Sequence, residues 1–199
     1  MFKLVLTIAA SVAALPALAQ NAPANLRPTR DVAVTYRMEG PAVPQPQEVR
    51  MAWDVAKKMQ RIDPPGGQGW MLLDLGAGSA VMVMEAQRMV MTLPAQTAVT
   101  MTQGVPPGTT FTRKGTDQVA GVSCNLWDTV MPQGQSSICL TEDGVLLRAV
   151  AENQAQGTSR MEATEVHYGE QDAARFQVPE GYRRMTVPNP APAGGTPAR

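Results

Sequence analysis

The residues that could carry out chemistry in this chain are few and widely spaced. The single histidine, His167, has no serine or cysteine in a nucleophile motif to act with. No His-x-x-x-His or Asp-x-Asp spacing supplies metal ligands, and residues 76–79 (Gly-Ala-Gly-Ser) form too short a segment for a phosphate loop. Glu162 and Glu165 are three residues apart, so a strand would point them to opposite sides. We therefore assign no catalytic residue, no metal site and no cofactor, and expect a non-enzymatic protein.

The two cysteines, Cys124 and Cys139, predict a disulfide. An even number of cysteines in an exported chain favours a bond between them. They lie on consecutive predicted strands around a turn at Pro132-Gln133-Gly134, so the bond would staple one hairpin. A thiol metal site or a cysteine nucleophile is the alternative, and it lacks histidines nearby.

Methionine is unusually abundant, with 13 residues, whereas aromatic residues make up 5% of the chain. Turns at Ala77-Gly78 and at Ala86-Gln87 would bring several methionines together. The predicted pairs are Leu73 with Met82, Met71 with Met84, Met84 with Met89, and Met82 with Met91. Because strand side chains alternate, one face of this three-stranded patch carries Met71, Leu73, Met82, Met84, Met89 and Met91.

Three interpretations of this methionine face are open. Methionine fills irregular gaps in ordinary cores. Its flexible, polarisable side chain also suits an apolar cavity for an acyl chain or another hydrophobic guest, with Val49, Met51 and Trp53 as neighbouring wall residues. Thioethers can also bind Cu(I), although the chain has one histidine and no Met-x-x-Met run in a flexible loop.

The elements that would position these residues are short strands. Alternating apolar residues begin at Val32 and recur to Tyr168, and Glu142-Asp143-Gly144 is a hairpin signal. A Pro-rich turn is expected at residues 41–46. Helix is expected at residues 94–101 and as a turn or two within residues 170–175. The pattern predicts a mainly β protein, a curved antiparallel sheet or half-open β-barrel with one or two short helices on its concave face.

The first residues predict an export signal. A basic start, an apolar stretch of about a dozen residues and Ala17-Leu18-Ala19 are typical of a signal peptide cleaved after Ala19. We therefore expect a signal peptide at residues 1–19, a flexible leader at 20–30, one β-rich domain at 31–185 and a disordered Pro/Gly/Ala tail at 186–199. The sequence has no second long apolar segment, so we expect no transmembrane helix.

The net charge of the chain indicates whether a nucleic-acid partner is expected. Cleavage after Ala19 removes Lys3 and leaves 16 basic and 17 acidic residues, a net charge of −1. A near-neutral chain without a Lys/Arg block gives no reason to expect nucleic acid as a partner. The sequence does not predict an oligomeric state.

Several segments resemble a family of exported bacterial proteins of unknown function, whose fold is related to the periplasmic lipoprotein carriers of the LolA type. The segments are residues 58–63, 82–91, 115–124, 138–149 and 176–182, the last reading Phe-Gln-Val-Pro-Glu-Gly-Tyr. The resemblance implies a half-open β-barrel that can hold acyl chains and a Gram-negative periplasm.

The functional expectation is a periplasmic binding protein with an apolar cavity, whose partner is a lipid or an acylated protein. A protein–protein interaction or structural module of the cell envelope is the second hypothesis, and Cu(I) binding through thioethers is the third.

Overall fold

The computed structural model describes residues 22–131, 134–153 and 157–187. It contains one α-helix, α1 (Ala95–Gln103), and a 3-10 turn (Ala173–Phe176). The strands are β1 (Val32–Gly40), β2 (Val43–Asp54), β3 (Met59–Asp63), β4 (Trp70–Asp74), β5 (Ser79–Met84), β6 (Met89–Thr92), β7 (Thr110–Val119), β8 (Val122–Met131), β9 (Gly134–Leu140), β10 (Leu146–Asn153), β11 (Gly157–Tyr168) and β12 (Arg183–Thr186). The predicted signal peptide at 1–19 and most of the predicted tail at 186–199 lie outside the described residues.

All twelve strands belong to one sheet, in the order β12-β6-β5-β4-β3-β2-β1-β11-β10-β9-β8-β7. Adjacent strands are antiparallel except for β12 and β6, which are parallel. Strand β1 lies between β2 and β11, so it joins two meanders, one built from β2–β6 and the other from β7–β11. The predicted mainly β, antiparallel architecture with a helix is confirmed.

The second meander curls strongly. Strand β7 contacts β11 although three strands separate them in the sheet. Arg148 on β10 forms an ion pair of 2.6 Å with Asp117 on β7 and a second ion pair with Glu162 on β11. In a flat sheet β10 and β7 would lie roughly 14 Å apart, so this ion pair requires curvature. The sheet is curved and not closed.

Both faces of the β2–β6 half are covered. On one face, Leu73 and Ala80 pack against Ala98 of α1; we call it the helix face. On the opposite face, Trp70, Leu72, Val83 and Val90 pack against Phe176 of the 3-10 turn. A third buried cluster connects β1 to the second meander and includes Val34, Tyr36, Leu147 and both cysteines. A strand with two covered faces is apolar on both, as the sequence of β4–β6 is.

The Pro-rich turn predicted at residues 41–46 is shorter than expected, and this prediction is wrong. Only Pro41 and Ala42 form the turn, and Pro44 and Pro46 lie within β2. Proline lacks the N–H that a central strand donates. Strand β3 pairs with β2 from Arg50 onwards, so one side of β2 has no strand neighbour at the two prolines among the described residues.

Candidate functional site

A row of apolar side chains, mostly methionines, crosses the helix face. Each member is the direct Cα partner of the next on the adjacent strand, from β2 through β6 to β12. Directly paired residues point their side chains to the same side of a sheet. We call this set the methionine row: Met51, Ile62, Met71, Met82, Met91 and Met185.

The predicted methionine face is assembled with one change of register. Met82 pairs with Met91 and Met84 with Met89, as predicted. Met71, however, pairs with Met82, and Leu73 pairs with Ala80, so the predicted partners of these two residues are wrong by two positions. A shift of two residues preserves the alternation of side chains. The six predicted residues therefore still share one face.

The side chain of Asp74 explains the shifted register. Its Oδ1 accepts hydrogen bonds from the backbone N–H groups of Gly76 at 2.9 Å and Ala77 at 2.7 Å. These bonds start the turn immediately after Asp74, and Asp74 becomes the partner of Ser79. The turn is therefore centred one residue earlier than its residue types predict.

The members of the predicted face differ in burial. Leu73 is 1% exposed because it lies between β4 and α1. Met71, Met82, Met84, Met89 and Met91 are half-buried. A fully buried leucine acts as core, whereas half-buried methionines leave apolar surface available to a guest.

A cavity of about 210 Å³ lies on the helix face beside the methionine row. Met51 and Trp53 of β2, which the sequence analysis proposed as neighbouring wall residues, line it. Val49, the third of that group, does not line it. Val49 is 6% exposed and pairs with Tyr36, which is a wall residue. The remaining wall includes Leu75, Met101 of α1 and Met161 of β11. Met71, Leu73, Met82, Met84, Met89 and Met91 are not among its wall residues.

Tyr36 fixes one side of this cavity. It is 1% exposed, and its hydroxyl donates a 2.8 Å hydrogen bond to the carbonyl oxygen of Leu146. Burial raises the pKa of the Tyr36 hydroxyl. The bond connects β1 to β10, so this wall is held by a neutral, satisfied polar group.

The segment before β1 closes the cavity from another side. Leu26, Arg27 and Pro28 line it. The segment crosses the β9–β10 turn, where a Cβ on Gly144 would overlap the backbone of Arg27. From the sequence, residues 20–30 are expected to form a flexible leader. In the structure residues 25–30 make specific contacts with α1 and with this turn.

Asp143 is the centre of those contacts. Its carboxylate accepts hydrogen bonds from Thr141 Oγ1 at 2.5 Å, Arg30 Nε at 2.7 Å and Tyr168 Oη at 3.1 Å. Burial alone would raise the pKa of Asp143, but these three donors outweigh it and lower the pKa below its usual value. Asp143 is therefore a charged anchor for the N-terminal segment.

A second space, of about 490 Å³, opens beside Asp143 and the disulfide. Its wall combines polar and charged side chains, among them Arg30, Ser123 and Glu142, with apolar surface that includes Val122. The Arg30 guanidinium lies 3.9 Å from the centre of the Tyr168 ring and covers that aromatic face. The carboxylates of Glu142 and Asp143 distinguish its wall from that of the smaller cavity.

The predicted disulfide is present between Cys124 and Cys139. His167 has a side chain 73% exposed and lies 3.7 Å from Glu165, also a surface residue. Among residues 22–131, 134–153 and 157–187, no group of three or more His, Cys, Asp or Glu side chains could hold a metal ion. The described part of the chain also has no helix long and apolar enough to cross a bilayer.

Several cavity residues were not predicted. Tyr36 and Met161 come from the two strands that flank each other at the centre of the sheet, and Met101 comes from α1. Met101 lies in the predicted helix, but a short helix does not show from sequence which part of a sheet it will cover. Leu26 and Arg27 carry no periodicity that would have indicated contact with the domain.

No protein-family model and no curated protein sequence matches this chain. Solved structures do. An uncharacterized conserved protein from Thermus thermophilus is similar over 80% of this chain and 91% of its own, with 10% identity and a TM-score of 0.58.

MucB in the Pseudomonas aeruginosa MucA/MucB complex is similar over 80% of this chain, with 14% identity and a TM-score of 0.50, and the chain spans 59% of that protein. A putative outer membrane lipoprotein-sorting protein domain from Vibrio parahaemolyticus covers 74% of this chain and 89% of its own, with 11% identity and a TM-score of 0.41. At these identities the likeness of the two structures with the higher scores concerns the fold alone.

Proposed function

We propose that this protein is a non-enzymatic periplasmic binding protein that holds the apolar part of a lipid, or the acyl chain of a lipoprotein, on its helix face. The observation that carries the proposal is the methionine row, half-buried from Met51 to Met91, which runs into a cavity walled by Met51, Trp53 and Met101. Methionine side chains adapt to guests of variable shape. A long, partly covered apolar surface suits a flexible chain better than a compact polar substrate.

The dimensions fit one acyl chain. The cavity of about 210 Å³ is smaller than the roughly 300 Å³ at which drug-sized pockets begin, so it would receive only one end of a ligand. Met51 and Met91 are four strand spacings apart, about 19 Å. An acyl chain spans half of a bilayer core, or about 15 Å. The row is therefore long enough to support the remainder of the chain.

Binding of a fluorescent fatty acid tests the proposal. Met82→Gln/Met91→Gln keeps side-chain length but places two amides on the methionine row, and the unpaired amides should weaken binding about tenfold or more. The matched control is Val130→Gln, because Val130 is an apolar residue of β8 that is 48% exposed. Native mass spectrometry of gently purified protein should show bound lipid. Recovery of empty protein that also ignores the fatty acid would contradict the proposal.

The interaction-module and Cu(I) alternatives have separate tests. Light scattering at high concentration detects pairing of two copies through the helix face. A Cu(I) titration of Met82→Leu/Met84→Leu against the wild type tests thioether binding. One thioether of the predicted face already has another contact, since Arg183 Nη2 lies 3.8 Å from Met89 Sδ. This contact places a positive charge beside one of the sulfurs of the predicted face.

A further inference from the structure

The N-terminal segment from Asn25 to Arg30 lies in a groove between α1 and the β9–β10 turn. The leader groove, as we call it, is formed by Thr102, Gly104, Glu142, Asp143, Gly144 and Tyr168. Two arginines of the segment, three residues apart, reach into it at separate points. Their environments show what chemistry the groove recognises.

The first arginine, Arg27, donates a hydrogen bond to the carbonyl oxygen of Thr102. Thr102 lies in the last turn of α1, where backbone carbonyls lack partners within the helix and the dipole is negative. The last turn of α1 contains no basic residue of its own. The Arg27 guanidinium supplies the cation that this helix end lacks.

The second arginine, Arg30, meets an anion and an aromatic ring together. Its Nε lies 2.7 Å from Asp143 Oδ2, and its guanidinium stacks 3.9 Å from the centre of the Tyr168 ring. Stacking and a planar hydrogen bond favour arginine over lysine. This part of the groove therefore selects a guanidinium.

The groove also binds backbone. The N–H of Thr29 donates to the carbonyl oxygen of Asp143 at 2.9 Å, and Asn25 Nδ2 donates to that of Glu142 at 2.8 Å. Gly144 leaves the space through which the backbone of Arg27 passes. The segment thus sits in the groove as an extended peptide sits in a recognition site.

The hold on this segment is polar and open to water. No residue from Ala22 to Arg30 is buried, and Leu26 is 41% exposed. The Arg30 side chain is 63% exposed. Because the segment contributes no strand and no residue to the three buried clusters, it can leave while the sheet and its core stay folded.

We propose that the leader groove is a binding site for extended peptides with an Arg-x-x-Arg pattern and that residues 25–30 occupy it as a tethered competitor. The partner is a protein segment of that chemistry, and it must displace the chain's own segment to bind. This site is distinct from the methionine row, although Leu26, Arg27 and Pro28 also wall the neighbouring cavity.

Tethering sets the size of the expected effect. A short flexible tether gives an effective concentration of about 1 mM. If the free groove binds such a peptide with a Kd of about 100 µM, the tethered segment weakens binding of an external peptide about tenfold. Variants that loosen the segment should recover that factor.

The experiment measures binding of a labelled peptide with the sequence of residues 22–31 to the exported chain by fluorescence anisotropy. Arg27→Ala/Arg30→Ala in the protein should tighten peptide binding about tenfold relative to the wild type. Thr29→Pro, which removes the N–H bonded to Asp143, should act in the same direction without altering charge. A control peptide with lysine at both arginine positions keeps the charge and should bind at least about fivefold more weakly.

Three results would overturn the proposal. The first is that the peptide binds the folded Arg27→Ala/Arg30→Ala and Thr29→Pro variants no more tightly than the wild type. The second is equal binding of the arginine and lysine peptides, which would indicate non-specific charge attraction. The third is unchanged circular dichroism together with no measurable binding to any of the proteins.

Discussion

Asp143 has the most informative environment of any single residue in the structure. Three donors outweigh its burial and lower the pKa of its carboxyl. A group whose pKa is lower in the folded protein stabilises the fold above the ordinary pKa, and this contribution is lost as pH falls through the folded value. The pH dependence of stability therefore reports on this network.

We expect Asp143→Asn to reduce the free energy of unfolding by about 1–2 kcal/mol at pH 7, because hydrogen bonds to a charged acceptor are lost. The difference from the wild type should begin to shrink below about pH 4, where the Asp143 carboxyl of the unfolded chain is protonated. It should be lost as pH falls through the lowered pKa of the folded carboxyl. Urea unfolding of both proteins at several pH values checks this. Other carboxyls contribute equally to both proteins and cancel in the difference. A difference that stays constant down to about pH 2 would contradict the assignment.

At the residue scale, the disulfide and the shared face of the methionines could be predicted from the sequence. The roles of the two arginines could not. The Cys124–Cys139 bond follows from an even cysteine count on consecutive strands, and it is present. The shared face of the methionines follows from strand alternation alone. The roles of Arg27 and Arg30 depend on contacts with residues more than seventy positions away, for which their local sequence contains no signal.

Among the elements, the β8–β9 hairpin is the one joined covalently. Cys124 and Cys139 are 15 residues apart, with their Cα atoms 5.4 Å apart. Replacing both cysteines with alanine should lower the free energy of unfolding by about 3 kcal/mol, since the unfolded chain regains the entropy of an open loop. Guanidinium unfolding with and without reductant checks it. Reductant should destabilise the wild type and leave the double variant unchanged.

Hairpins were the elements best predicted, because alternation and turn residues act within short distances. The predicted turn at Ala86-Gln87 is present between β5 and β6, with the predicted pairing across it. Strand β12 was not predicted. It has four exposed residues, Arg183–Thr186, and exists because it pairs in parallel with β6, more than ninety residues earlier. Pro44 and Pro46 were expected in a turn but lie in β2. An edge position of a strand tolerates proline, which has no backbone N–H to donate.

At the scale of the whole molecule, the C-terminal segment closes the opposite face of the sheet. Phe176 is 5% exposed and packs with Trp70 and Val83. Phe176→Ala should cost about 3–5 kcal/mol because it leaves a cavity beneath the segment. Met185→Ala, at a position 47% exposed, is the control and should cost less than about 0.5 kcal/mol. Urea unfolding followed by tryptophan fluorescence measures both, and a cost below about 1 kcal/mol for Phe176→Ala would show that the segment is not part of the core.

The candidate cavity could be predicted only in part, for reasons of topology. Met51 and Trp53 were expected near the methionine face, and they line the cavity. Its other walls come from α1, from Met161 of β11 and from the segment before β1. These parts meet because β1 lies near the centre of the sheet. No local pattern in the sequence predicts which strand will be central.

The central position of β1 also determines how much of the chain must be present before the sheet can form. Its neighbour β2 follows at once, but its other neighbour, β11, ends at Tyr168, after more than a hundred intervening residues have been made. Until then one row of β1 backbone N–H and C=O groups is exposed and open to wrong partners. A chain truncated before residue 157 should therefore remain sensitive to protease, whereas one that extends beyond residue 187 should acquire resistance.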